Sequence, residues 1–379
     1  MLSSANWNFR SCRFLLTMCV TFGVFTPAPK ADVPVHSKSA SWSQRSSLAI
    51  HSLQSWYDAQ TGLYKTTGWW NSANALTTLA DYSRVTGSRE FDSVFRNTLS
   101  AAQKTSPGFI NRFYDDEGWW ALAWIDEYDI THDQQYLKAA ESIFADMAGG
   151  WDDTCSGGIW WSKDRKYKNA IANELFLSVA AELAVRAKGT QSRTQYLSWA
   201  KREWQWFSRS GMINADHLIN DGLDSNCTNN HQQTWSYNQG VAIGGLTELY
   251  KADHDSSLLS EAHVIATATL SSPTLIDKHG ILHEPCEPNC GGDGSQFKGI
   301  FVRNLLSLDE AAPQSEYEKF IDTNANSIWA GAQPPDNHFG LIWAAPSGEV
   351  NASTQSSALD VLVAATAISK RDGRASLHK

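Results

Sequence analysis

Long apolar runs are scarce in this sequence, and so is positive charge. After the first 31 residues no apolar stretch approaches the ~20 residues a membrane-spanning helix needs. The C-terminus, SKRDGRASLHK, is basic and polar and lacks the hydrophobic tail of a lipid-anchor signal. Lys and Arg number 31 against 40 Asp and Glu, a formal net charge of -9. No basic block offsets it, so phosphate backbones would be repelled and nucleic acid is excluded as a partner. Strand alternation is also sparse. Beyond short hairpin-like stretches near Gly158–Trp161 and Gly280–His283, little reads as sheet.

Cysteine is limited to six residues, and the N-terminal segment accounts for two of them. Arg10 and Arg13 precede an apolar run from Phe14 to Phe25, too short to span a bilayer. Small residues and prolines follow, with Ala28 and Ala31 as candidate cleavage positions. Residues 1–31 read as a secretory signal peptide that would carry off Cys12 and Cys19, and the mature protein is expected outside the cell. Cys155, Cys227, Cys286 and Cys290 remain, with three possible pairings. Cys286 and Cys290 lie four apart in the loop EPCEPNCGGDG, which suggests a local bridge and leaves Cys155 with Cys227 by elimination. A zinc site helped by His283 is the alternative, disfavoured because exported thiols oxidise.

What is abundant is tryptophan, 17 residues of it, within a chain of 42% hydrophobic and 19% charged composition. That composition is globular. Indole faces either fill a large core or stack on sugar rings. After residue 40 the pattern is helix upon helix. Glu117 to Asp129 is apolar on nearly every face, as in a buried helix, whereas Asp133 to Met147 places apolar groups at intervals of three and four, as in an outer amphipathic one. The couplet recurs: WWNSANALTTLADYSRVTG before SREFDSVFRNTLSAAQKT, KNAIANELFLSVAAELAVRAKG before SRTQYLSWAKREWQWFSRS, WSYNQGVAIGGLTELYKADH before DSSLLSEAHVIATATLSS, and FKGIFVRNLLSLDEAAP before SEYEKFIDTNANSIWAG. With the 43–57 region as an outer helix and SSALDVLVAATAISKR as a last inner one, about six pairs result. Unequal spacing argues against an open solenoid and for a closed all-α ring in a single domain over residues 40–372. In such a ring the inner helices run parallel and their N-terminal ends, rich in Trp, Asn and Asp, converge on one mouth.

Within RFYDDEGWWALAWIDEYDIT, Asp115 and Asp116 precede a buried helix and so belong at that mouth. Two carboxyl groups at one site are what glycoside hydrolysis needs: one attacks the anomeric carbon or activates water, the other protonates the leaving oxygen. Adjacent residues stand roughly 5–6 Å apart more readily than at the wider inverting gap, which favours double displacement. A helix N-terminus stabilises the nucleophile's anion. Repulsion and apolar packing against Trp raise the pKa of the acid. The competing role is helix capping. A second pair, Asp152 and Asp153, lies in a Gly-rich loop and reads as turn chemistry.

The stretch YDDEGWWALAWIDEYDIT resembles the signature of the family 76 glycoside hydrolases, the endo-α-1,6-mannanases and their fungal cell-wall relatives. WWNSANALTTLADY, GGIWWSKDRKYKNAIANELFL, TWSYNQGVAIGGLTELY and QFKGIFVRNL are similar to its other blocks, in order, from about residue 45 to 370. The resemblance implies an (α/α)6 barrel, a retaining mechanism without cofactor, and the α-1,6-mannan backbone as substrate. Carried onto this chain it makes Asp115 the nucleophile and Asp116 the acid/base. The wall-bound fungal members carry a lipid-anchor signal. The polar C-terminus departs from that and favours a soluble secreted hydrolase over a wall-remodelling transglycosylase.

Further candidates for sugar contact gather at the same helix starts: Trp69, Trp70, Asn74, Tyr114, Lys168, Asn169, Asn173, Tyr237, Asn238, Gln239 and Lys298. Trp119 is a weaker one, expected to pack inward. Amides and Lys bind hydroxyls and aromatics stack on pyranose faces. Capping or core packing is the competing role for each. Three other functions compete. A sugar epimerase needs His proton shuttles, and most His here sit off the motif blocks. A uronate lyase needs a basic subsite. A non-catalytic mannan-binding protein would keep the Trp surface without needing the acidic pair.

Overall fold

The computed structural model describes residues 40–332, 336–345 and 348–377. The signal-peptide reading of residues 1–31, with Cys12 and Cys19, lies outside the described residues. Twelve helices of eight residues or more are described. They are α1 (Trp42–Gln54), α2 (Trp69–Thr86), α3 (Asp92–Ala101), α4 (Tyr114–Thr131), α5 (Gln134–Ala148) and α6 (Ala170–Arg186). The second half has α7 (Thr190–Phe207), α8 (Ser236–Asp253), α9 (Ser256–Ser271), α10 (Phe297–Ala311), α11 (Ser315–Ala330) and α12 (Ala352–Leu377). The even-numbered helices touch in the order α2, α4, α6, α8, α10, α12 and back to α2, which closes the ring. The odd-numbered helices pack outside, α5 on α4 and α6, α7 on α6 and α8. This is the (α/α)6 barrel.

The inner helices are buried nearly all round. In α6 every residue from Ala170 to Ala181 is buried. The outer ones bury one stripe; in α5 it is Tyr136, Leu137, Ala140, Ile143, Phe144 and Met147, the spacing an amphipathic surface helix requires. Turns between inner and outer helices use left-handed caps: Gly87 after α2, His132 after α4 and His254 after α8. The two His caps set their rings edge-on to the Tyr four residues earlier, Tyr128 and Tyr250. Outer helices start on side-chain caps, Asp133 for α5 and Asp255 for α9, each satisfying an N–H that the helix cannot.

Between α2, α10 and α12 the contact is polar. Thr78 donates to Asp360 at 2.6 Å, and Arg303 reaches both Asp360 at 3.3 Å and Asn74 at 2.5 Å. Burial pushes the Asp360 carboxyl up to about 7, with Arg303 pulling the other way. Helices α8 and α10 approach closely at Gly240, where a Cβ would lie 2.5 Å from the Phe301 Cα.

Sheet is minimal. The one ladder among the described residues is Tyr57–Asp58 with Leu63–Tyr64, a hairpin that starts at the last residue of the region read from sequence as the first outer helix. The two hairpins expected from sequence are single bridges, Trp151 with Ile159 and Ile276 with Leu282.

A repeated device fixes the loops that lead into the inner helices. In five of the six, the fourth helical residue accepts a backbone N–H from the incoming loop. Ser72 accepts from Tyr64 at 3.1 Å, Glu117 from Asn111 at 3.2 Å, Asn173 from Ile159 at 2.7 Å, Gln239 from Ile219 at 2.8 Å, and Gln355 from Phe339 at 2.9 Å. The amides also donate back: Asn173 to the Ile159 carbonyl, Gln239 to Ile219, and Gln355 to Asn337. Buried backbone polar groups need partners, and here the helix supplies them in place of a sheet.

Gly240→Ala tests the close contact. The added methyl meets backbone rather than a flexible side chain, so α8 and α10 must separate. Loss of about 1–3 kcal/mol is expected, read as a lower urea midpoint in circular dichroism. An unchanged midpoint would mean the two helices do not pack at this distance.

Candidate active site

The first turns of the inner helices meet around a cavity of about 220 Å³. Helix α2 supplies Trp70, α4 supplies Asp115 and Trp119, α8 supplies Tyr237 and α10 supplies Phe297. Asn169, also on the wall, caps α6 by accepting from the Ala172 N–H at 3.3 Å. Two stacked aromatic pairs form much of the lining: Trp70 on Trp119 with centroids 5.6 Å apart, and Tyr237 on Phe297 at 3.8 Å. The Arg303 guanidinium lies 5.8 Å from the Trp119 ring, joining that indole to the polar seam between α2, α10 and α12. Contrary to expectation, Trp119 lines the cavity.

Asp115 and Asp116 occupy the first turn of α4, which has no side-chain cap from its N-cap residue, Phe113. The pair takes side-chain partners from neighbouring loops in addition to the backbone N–H groups at the helix end, which draw the Asp115 pKa down. Asp115 Oδ2 accepts from the Trp161 indole N–H at 3.0 Å, while its buried Oδ1 meets no donor among the described residues. Asp116 Oδ2 accepts from the Asn111 amide at 2.6 Å. Burial, then the neighbouring Asp116 charge, pushes the Asp115 carboxyl up to about 8. Burial pushes Asp116 up to about 6, with the Asn111 hydrogen bond opposing and the Asp293 charge reinforcing. A pair raised in this way holds one proton near neutral pH, and acid/base chemistry requires such a state.

Glu117, the third acid in this run, has another task. It is fully buried, pairs with Lys163 at 2.9 Å, and accepts the Asn111 N–H. Asn111 in turn orients Asp116. Glu117 is thus a support beneath the pair, and burial pushes its carboxyl up to about 8 against the pull of Lys163.

The loops bring groups that sequence patterning did not single out. Trp161 and Tyr167 lie in the loop before α6, Asp221 in the loop before α8, and Asp293 in a single helical turn before α10; all four line the cavity. Asp221 accepts from the Tyr167 hydroxyl at 2.5 Å and Asp293 from the Trp70 indole at 2.8 Å. A sugar in this cavity would meet carboxylates as hydroxyl acceptors and indoles as stacking faces. The nearest sequence cue was the loop bridge: the Cys286–Cys290 disulfide is present just before Asp293, and Cys155–Cys227 joins the other two loops.

Of the sugar-contact candidates, Trp70, Asn169 and Tyr237 are on the cavity wall. The others are placed elsewhere. Trp69 packs on Trp120 and Phe109. Asn74 is buried and bonded to Arg303 and to the Trp70 carbonyl. Tyr114 is buried under Gly150 and faces Lys163. Asn173 and Gln239 are loop clamps. Lys168 is buried with five oxygens of residues 152–158 within 3.3 Å. An ammonium so surrounded has no donor left for a hydroxyl. Lys298 is likewise buried between Glu287 and the Leu341 carbonyl, ordering two loops. Asn238 is buried and its amide finds no partner among the described residues. Asp152 is occupied by Lys168, Trp160 and the Thr154 N–H, as a turn residue would be.

A closed double ring of helices with an adjacent carboxyl pair, of which Asp115 lines an aromatic cavity at its mouth, defines an (α/α)6 barrel with a polar-ligand site. The sequence model of glycosyl hydrolase family 76 matches residues 41–377, and the chain belongs to that family. The mannan endo-1,6-alpha-mannosidase DCW1 of Saccharomyces cerevisiae is 28% identical over 389 residues, covering 91% of this chain and 83% of that protein. A putative mannan endo-1,6-alpha-mannosidase of Schizosaccharomyces pombe is 27% identical over 65% of this chain; the match spans 60% of that relative's length. Among solved structures, the α-1,6-mannanase of a Salegentibacter species superposes with a TM-score of 0.78 at 25% identity, covering 86% of this chain and 99% of that one. An inactive variant of the Salegentibacter enzyme, 24% identical to this chain with a TM-score of 0.77 and the same coverage, holds α-1,6-mannotriose.

The raised Asp115 carboxyl gives a stability test with a definite sign. Unfolded, it titrates near ~3.9; folded, at about 8. Between these values the native state binds a proton that the unfolded state does not, so this group lowers stability as pH rises. Asp115→Asn removes the effect. The variant should gain on wild type between pH 4 and pH 8 in urea unfolding. A difference equal at both pH values would show that the carboxyl is not held protonated by burial.

Proposed function

We propose that this chain is a secreted, retaining glycoside hydrolase that cleaves the α-1,6-linked mannan backbone, with Asp115 as nucleophile and Asp116 as acid/base. The observation that carries the reading is the adjacent carboxyl pair, raised to about 8 and about 6, at an aromatic cavity. The relatives are named for endo action on α-1,6-mannan, and the Salegentibacter variant holds α-1,6-mannotriose, which supports the same substrate class. No helix among the described residues is long and apolar enough to cross a membrane.

Asp115 suits the nucleophile because it lies on the cavity wall, where the Trp161 N–H steadies its carboxylate through Oδ2. The Asp115 carboxylate attacks the anomeric carbon as the glycosidic C–O bond breaks, and Asp116 delivers its proton to the departing oxygen. In the second step Asp116, now a carboxylate, takes a proton from water. That water attacks the anomeric carbon from the opposite face and releases Asp115. Two inversions give retention. In the empty site the shared proton favours Asp115, the more strongly raised of the two. Sugar hydroxyls donating to Asp115 stabilise its anion and return the proton to Asp116. Adjacent positions favour the short carboxyl separation of a retaining pair over the ~6.5–9.5 Å gap that inversion needs for its water.

Following the anomeric proton by NMR during cleavage of α-1,6-mannotetraose should show α product first; initial β product would rule out double displacement. Wild-type kcat/KM should follow a bell with limbs near the two values of the pair, about 6 and about 8.

Role assignment follows from azide rescue. Asp115→Ala should lose several orders of magnitude of activity and, with azide, yield the inverted β-mannosyl azide. Asp116→Ala should retain activity on substrates with good leaving groups and yield the α-mannosyl azide. Swapped products would reverse the two roles. Full activity in both variants would remove the pair from catalysis.

A further inference from the structure

On the outer side of the loops that wall the cavity runs a separate groove of about 820 Å³, within the range of ligand-sized clefts. Its walls are Trp151, Trp206, Arg202, Arg209, Gln205 and Asp153, with the Cys155–Cys227 disulfide along one side. The Arg202 guanidinium carbon lies over the Trp151 ring, 4.2 Å from its centroid, and 5.1 Å from that of Trp199. Its N–H groups have no hydrogen-bond acceptor among the described residues. Neither has Arg209, and the Asp153 carboxylate has no donor.

The groove is rigid before anything enters it. Lys168 gathers the carbonyls of residues 152, 154, 157 and 158 around one ammonium. Trp206 packs face-on against Gly157 and Gly158, where a Cβ would overlap it, and its N–H donates to the Cys155 carbonyl at 2.9 Å. Asn173 and Gln239 clamp the same two loops from the barrel side. Pre-formed sites spend little of their binding energy on ordering.

The mixture of open groups selects the ligand class. An anion site would not keep a free carboxylate among its donors, and an apolar ligand would leave two guanidinium groups and an amide unmatched. A polyol matches all of them: vicinal hydroxyls accept from Arg202 and Arg209, donate to Asp153, and exchange both ways with Gln205, while the stacked guanidinium–indole surface offers a flat face. Asp221 on the cavity and Leu223 on the groove are two residues apart in one loop, so a single polymer could engage both.

We propose that this groove is a second, non-catalytic binding site for a neutral polysaccharide, one that holds the mannan polymer outside the active-site cavity. The identity of the polymer rests on the function proposed above; the groove's preference for a polyol does not.

The test compares wild type with Arg202→Ala/Arg209→Ala and with Arg209→Ala alone, which removes no side-chain hydrogen bond or ion pair among the described residues; circular dichroism checks that both variants stay folded. Two readouts are taken: KM and kcat/KM on polymeric α-1,6-mannan against α-1,6-mannotetraose, and retardation in native gels cast with the same polymer. The double variant should raise the polymer KM at least about threefold, leave kcat/KM on the tetraose unchanged, and lose most of its gel retardation. Arg209→Ala should shift in the same direction by less. Unchanged polymer KM and retardation would overturn the proposal, as would an equal loss on the tetraose. Retardation confined to gels containing an acidic polysaccharide, and removed by salt, would make this an anion site and also overturn it. If wild type releases nothing from polymer or tetraose, the function proposed above fails while the gels still decide the groove.

Discussion

The structure depends on how its long mouth loops satisfy their backbone. A ring of parallel inner helices leaves the connections into each helix to cross the same face, where sheet pairing among the described residues is limited to one two-residue ladder and single bridges. The fourth residue of five inner helices answers this by accepting an N–H from its own incoming loop. Position four lies one turn in, deep enough to be buried and close enough to reach back. Where the residue is an amide it can both accept and donate, which fixes the loop in two directions. The loop before α10 is the exception. Ile300 takes the fourth place, and Asn324 of the outer helix α11 holds Leu282 instead, at 2.9 Å. Lys298 and the Cys286–Cys290 bridge add the restraint that the inner helix does not provide.

At α4 the same device meets the chemistry. Its fourth residue is Glu117, an acid rather than an amide, so it needs a cation, and Lys163 provides one. Through the Asn111 N–H it fixes the residue whose amide holds Asp116. A support chain therefore runs Lys163, Glu117, Asn111, Asp116, with only its last member in the adjacent aspartate pair. This explains why three acids can follow one another before a run of tryptophans: Asp115 lines the cavity, Asp116 is held beside it by Asn111, and Glu117 is paired with Lys163.

The ring was legible in the sequence because burial writes itself into periodicity: α6 is apolar on all faces and α5 on one. The pair Asp115 and Asp116 was legible because two charges next to an apolar run demand a cause. The clamps were not. Asn173 and Gln239 have the residue types of sugar ligands, and nothing in spacing says whether an amide turns toward a hydroxyl or toward its own loop. Lys168 shows the same ambiguity, since a lysine near an aromatic cluster suits a binding site until five oxygens are found around its ammonium. Trp161, Asp221 and Asp293 went unnoticed for the converse reason. They sit in irregular loops, where no period marks which side chain faces the cavity, and the tertiary contacts that aim them are distant in sequence. The hairpin at Tyr57–Tyr64 is too short for alternation to register.

The protonation of the pair follows from a contest of magnitudes. The N-terminus of α4 favours carboxylate anions, but by at most about 2 kcal/mol in partly buried geometry, which is roughly 1.5 pKa units. The Trp161 and Asn111 hydrogen bonds act in the same direction. Against them stand burial beside Trp119 and the mutual repulsion of Asp115, Asp116 and Asp293. The carboxyl groups settle at about 8 and about 6, so burial and like charge prevail over the helix end and the hydrogen bonds together. Had the site been open to water, the helix end and hydrogen bonds would have left both aspartates ionised at neutral pH, with no proton to give a leaving oxygen. The aromatic lining thus does two things at once: it offers faces on which a pyranose can stack, and it excludes the solvent that would otherwise strip the pair of its proton.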